Sequence, residues 1–123
     1  MKEKGPELSL LFDFYGALLT DKQRDIFAMY YDEDLSLGEI AENEGITRQG
    51  VRDALLRAEN TLRDTEQKLG LRGRYAKLEG AIDKLEDDAR ELRMINRDKY
   101  LSGEIDDKIR DMLGHIRDLR EEI

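Results

Sequence analysis

A chain of 123 residues carrying a net charge of −8 and 41% charged residues is long enough to bury a real but modest core. It has no cysteine, which excludes a disulfide framework and a thiolate metal site and suits a reducing cytoplasmic setting. One proline, few β-branched runs and apolar residues at helical spacing point to an all-α protein.

The first apolar run, Leu8–Leu19, follows Lys2 and Lys4 and has the outline of a signal peptide, but Asp13 interrupts it and no small-x-small cleavage site follows. It is too short to span a bilayer, so no membrane insertion is expected. Leu8, Leu11, Phe12, Tyr15, Leu18 and Leu19 recur at spacings of three and four, which predicts a first helix with all six facing the core. Thr20 and Gln23 then have the spacing of a capping box. They open a second helix to about Tyr31, with Ile26, Phe27 and Tyr30 inward and the acidic turn Asp32–Asp34 closing it.

Residues 36–57, SLGEIAENEGITRQGVRDALLR, carry the pattern of a helix-turn-helix. Ser36 and Glu39 form a second capping box, and Ala41 is small enough for two helices to cross. Gly45 is free to take φ > 0 in the turn, and Thr47 is placed to N-cap the next helix. Ile40, Ile46, Val51 and Ala54 face inward. Gly38 and Gly50 read as helix-interior glycines that cost about 1 kcal/mol each relative to alanine. The second helix of the motif runs on to about Leu69, where Gly70 and Gly73 mark a boundary. The expected organisation is a helix-turn-helix module over residues 1–70 and a helical hairpin over residues 71–123.

In the second part the apolar residues fall into heptads: Tyr75, Leu78, Ile82, Leu85, Ala89 and Leu92, then Ile105, Ile109, Met112, Ile116, Leu119 and Ile123. Residues 96–103 are a polar break of the length that joins two antiparallel helices. Such a hairpin cannot bury both stripes alone, so it must pack on the first part or on a second copy. A homodimer through Ile105, Ile109, Met112, Ile116 and Leu119 is the expectation carried forward.

Nothing in the chain points to catalysis. The one histidine, His115, has no pairing of the HExxH kind, and the carboxylates read as solvated helix faces with partners such as Asp106 to Arg110. No catalytic residue, metal ligand or cofactor is expected.

Residues 12–69 resemble the YlxM proteins, also called p13-like, in the FxFYxALLTDKQ opening at Phe12–Gln23 and the YYxxDxSLxEIAExxGITRQGV core at Tyr30–Val51. The resemblance implies a fold like region 4 of bacterial sigma factors, and therefore an all-α, sigma-region-4-like helix-turn-helix module followed by the hairpin. It also implies an accessory or regulatory role in the signal recognition particle pathway, with that particle's protein or RNA as partner.

Duplex DNA is held largely by lysine and arginine, yet residues 20–64 set Lys22, Arg24, Arg48, Arg52, Arg57 and Arg63 against eleven acidic residues. The second helix of the motif is nonetheless a basic strip. Thr47, Arg48, Gln49, Arg52, Leu56 and Arg57 are the candidate nucleic-acid or partner contacts. Steps of about 100° per residue turn Gln49, Asp53, Leu56 and Asn60 outward, a row better suited to protein or structured RNA than to a DNA groove. A DNA-binding transcriptional regulator is the alternative reading.

Overall fold

The computed structural model describes residues 6–123, among which there are six α-helices and no strand. Lys2 and Lys4 lie outside the described residues. The chain divides into two compact units, Met1–Arg72 and Gly73–Ile123.

In the first unit, α1 (Pro6–Tyr15) begins on the proline, whose fixed φ and missing N–H suit a first helical turn. The chain then tightens into a single 3-10 turn, Gly16–Leu18, closed by the Leu19 N–H donating to the Gly16 carbonyl at 3.1 Å. That tighter winding changes the phase of the stripe. Leu8, Leu11, Tyr15 and Leu19 are buried as expected and Phe12 packs beside them, but Leu18 is 62% exposed and not a core residue. In α2 (Asp21–Tyr31) both halves of the Thr20–Gln23 capping box are present. The Phe27 ring lies between Phe12 and Tyr31, stacked on each with centroids 4.6 and 4.3 Å apart.

Helices α3 (Leu37–Glu44) and α4 (Arg48–Leu69) make the helix-turn-helix. Gly45 between them takes φ 65°, the left-handed conformation that its lack of a Cβ makes cheap. Ile26, Ile40, Ala41, Val51 and Leu55 form one core cluster, and Ala58 and Leu62 join the α1 residues and Phe27 in the other. Helix α4 is thus the spine of both. Its length, beyond what a groove-reading helix requires, is explained by this double role.

Two groups of polar contacts, one on Glu59 and one on Glu66, are set into the spine. The Tyr31 hydroxyl donates to buried Glu59 at 2.8 Å, and Arg63 lies 3.8 Å from the same carboxylate. The Tyr15 hydroxyl donates to Glu66 at 2.6 Å and accepts the Leu71 N–H at 3.0 Å, while the Arg72 N–H donates to Glu66 at 3.1 Å. These contacts satisfy the first amides of α5 (Leu71–Ile95), so the helix starts directly after Gly70, which takes φ 63°. Of the two glycines expected to mark a boundary, Gly70 is the single left-handed residue between α4 and α5, whereas Gly73 lies inside α5.

The second unit is an antiparallel hairpin of α5 and α6 (Gly103–Glu122), joined by a π-helical turn, Asn96–Tyr100. Asn96 is buried and closes the turn: its amide donates to the Ser102 carbonyl at 2.9 Å and accepts the Ser102 N–H at 3.1 Å. Ser102 in turn caps α6 by accepting the Ile105 N–H at 3.2 Å. Between the helices, Ile82, Ala89, Ile109 and Ile116 are sealed, with Leu113 packed on them. The remaining heptad residues, Tyr75, Leu78, Leu85 and Leu92 of α5 and Ile105, Met112, Leu119 and Ile123 of the second stripe, stay outside that row.

Candidate nucleic-acid interface

The helix-turn-helix crossing brings the amino ends of α3 and α4 to one place. Ser36 starts α3 by accepting the Glu39 N–H at 3.1 Å and donating its own N–H to the Glu39 carboxylate at 3.0 Å. Thr47 starts α4 by accepting the Gly50 N–H at 2.9 Å. Ser36, Leu37 and Gly38 from one helix and Arg48, Gln49 and Arg52 from the other then line a groove of about 380 Å³.

Each helix amino end carries partial positive charge and free N–H groups, and here two of them flank two guanidinium groups. Neither Arg48 nor Arg52 makes an ion pair among the described residues. Gly38 is what lets Arg48 lie across α3, since a Cβ there would come within 3.0 Å of its Nη2 and 3.1 Å of its Nε. The chemistry of the groove is that of an anion seat, and arginine's planar fork matches a phosphate. Glu39 is the opposing charge beside it. Hydrogen bonds from the Ser36 backbone and then its side chain hold that carboxyl below the usual carboxylate range.

The candidates named from sequence divide accordingly. Arg48, Gln49 and Arg52 line the groove, although the Gln49 amide donates to Asp53 at 3.0 Å. The Thr47 hydroxyl is engaged as a cap and serves to position α4. Leu56 and Arg57 lie farther along α4, outside the groove, with Leu56 45% exposed. Ser36 and Gly38 were not among the candidates. The signal for Ser36 is its capping box, whereas Gly38 reads from sequence only as a helix-interior glycine.

The hairpin has a larger groove, about 630 Å³, lined by Arg90, Arg93, Arg110, Arg117 and Arg120 with Glu86 and Asp111. Its cations are mostly spent within the hairpin: Arg93 and Arg110 on Asp106 at 3.0 and 3.3 Å, Arg90 on Glu86, and Arg120 on Asp83 and Glu86 at 2.7 and 3.1 Å. The Arg93 hydrogen bond also holds the Asp106 carboxyl below its ordinary range. Of the dimerisation candidates, Ile109 and Ile116 are sealed inside the hairpin and offer no surface, while Ile105, Met112 and Leu119 are exposed.

No helix among the described residues is long and apolar enough to cross a membrane. No group of three or more His, Cys, Asp or Glu among them is arranged to hold a metal ion.

The chain is similar to a UPF0122 protein of Thermoanaerobacter sp. (strain X514), 53% identical over 91 residues, 74% of this chain and 78% of the relative. A UPF0122 protein of Desulforamulus reducens is 41% identical over 116 residues, 94% of this chain and 92% of its own. One from Listeria innocua is 36% identical over 119 residues, covering 97% and 99%. The likeness thus extends through the hairpin, well past the motifs of the first 70 residues. A family model described as "Putative helix-turn-helix protein, YlxM / p13 like" matches residues 2–101, and with these relatives it places the chain in the UPF0122 family.

Proposed function

We propose that this is a non-catalytic, cytoplasmic accessory protein of the signal recognition particle pathway that seats the groove of its helix-turn-helix on the phosphate backbone of that particle's structured RNA. The observation that carries the nucleic-acid reading is the meeting of two helix amino ends with Arg48 and Arg52, both without counter-ions among the described residues. Support for the pathway comes from the YlxM resemblance. RNA is favoured over DNA by what lies beside the groove: Asp53 holds the Gln49 amide and presents a carboxylate where base edges would sit. Backbone contact without base reading suits the shape recognition typical of folded RNA.

The test is fluorescence anisotropy with the particle's RNA and with duplex DNA of equal length, across a salt series. The RNA should bind more tightly, and Arg48→Ala with Arg52→Ala should weaken it and lower the salt slope by about 1 per arginine. Tighter, sequence-selective binding to DNA would favour the transcriptional regulator instead. Exposed Leu56 favours a second reading, contact with the particle's protein subunit, and RNA binding that ignores both arginines together with capture of that subunit would favour it.

A further inference from the structure

The hairpin presents three kinds of surface. Its inner row is sealed, one flank carries the arginines and acids described above, and the other flank is apolar. On that flank stand Leu78, Leu85 and Leu92 of α5 and Ile105, Met112 and Leu119 of α6, each between 40% and 53% exposed. Six large apolar side chains on one face exceed the scatter normal for a surface, and a single sealed row of four is a small core for a 51-residue unit.

We propose that this face docks on the same face of a second copy, making a four-helix bundle in which α5 of one chain lies against α6 of the other. Two features of the face select a copy of itself as the occupant. The first is spacing. Both helices repeat their exposed residues every seven positions, and the Arg93–Asp106 and Arg120–Asp83 contacts set an antiparallel register in which Leu92 is level with Ile105, Leu85 with Met112 and Leu78 with Leu119. A two-fold axis parallel to the helices therefore lays each level on the same level of the copy.

The second feature is charge. Steps of about 100° per residue place Arg74 and Asp88 at the outer edge of the face on α5, and Lys108 and Glu122 at the outer edge on α6. In the parallel-axis arrangement Arg74 comes opposite Glu122 of the copy, and Asp88 opposite Lys108. All four are exposed, and none makes an ion pair within its own chain among the described residues. An axis perpendicular to the helices would put α5 against α5 and Lys108 near His115, with no opposite charges matched. The dimer would carry two copies of the helix-turn-helix, and its interface differs from the sequence expectation by excluding Ile109 and Ile116.

Sedimentation of the full chain tests this. The parent should be a dimer at tens of micromolar, and Leu85→Glu with Met112→Glu should raise the dissociation constant at least about tenfold. Circular dichroism should show unchanged helix content, because both residues are exposed in the single chain. Asp88→Lys and Lys108→Asp should each weaken the dimer about two- to fivefold, and the two together should restore it. A monomeric parent overturns the proposal, whether or not the face captures another protein. A dimer that ignores Leu85→Glu/Met112→Glu, or one that the charge exchange fails to restore, overturns the arrangement.

Discussion

Replacing Gly38 with alanine should separate the stability of the helix-turn-helix from its binding. Gly38 lies in the first turn of α3 with ordinary helical backbone, so a methyl group there lowers the entropy of the unfolded chain and should stabilise by about 0.4–1 kcal/mol. The new Cβ would stand 3.0 Å from Arg48 Nη2, 3.1 Å from Nε and 3.3 Å from Cζ. Carbon contacts normally settle at about 3.5–4.0 Å, so the guanidinium must move by roughly 0.5–1 Å. The far end of an exposed arginine can do so at little cost to folding. A phosphate seated on that fork loses geometry, however. Hydrogen bonds to charged groups are worth about 1.5–3 kcal/mol, which sets the loss from Arg48→Ala as the upper limit. The expected variant melts higher by about 2–8 °C, by the usual conversion for a unit of this size, and binds RNA more weakly than the parent but no more weakly than Arg48→Ala. Calorimetry and anisotropy on the same sample would show this. A lower melting point would mean that the backbone at position 38 cannot accept a side chain, and unchanged affinity would mean that Arg48 does not act from its seat over α3.

Gly45→Ala should destabilise the first unit by about 1–2 kcal/mol even though a Cβ there meets nothing within 4 Å, because φ 65° alone carries the cost. Denaturant melts measure it, and an unchanged midpoint would mean the turn can be remade without the left-handed residue. Stability should also fall as pH rises above about 10, the ordinary tyrosine value. Burial, then the hydrogen bonds to Glu66 and Glu59, push the Tyr15 and Tyr31 phenols upward, so the unfolded chain loses those protons first and the contribution present below pH 10 is lost above it. Denaturant midpoints across the alkaline range, with Tyr15→Phe and Tyr31→Phe as controls, give the slope; equal slopes in parent and control would refute the assignment.

Much of the first unit could be read from the chain because its signals are local. A capping box needs residues three apart, and a left-handed turn needs one glycine, so Thr20, Ser36, Gly45 and Thr47 identify themselves without knowledge of the rest of the fold. The inward row of α4 follows from period alone. Leu18 shows where period fails: nothing in residues 16–18 announces the 3-10 turn that rotates it outward. Asn96 was equally silent, since an asparagine in a polar break is ordinary until its amide is seen closing the backbone on Ser102. Arg48, Gln49 and Arg52 were legible as candidates, but their meeting with Gly38 was not, because that depends on how two helices cross.

The same division holds across the chain. The sequence by itself determined the helical class, the capped starts of α2, α3 and α4 and the helix-turn-helix motif, because propensity, capping and turn geometry act over about four residues. Tertiary structure alone decided which of two equivalent heptad rows is sealed in the hairpin, since Ile82, Ala89, Ile109 and Ile116 are separated from the exposed row only by the rotation of two packed helices. It likewise decided that Tyr15 reaches 51 residues along the chain to Glu66, and that the two together satisfy the first amides of α5. Contacts of that range depend on the relative placement of elements, which only the packed core sets.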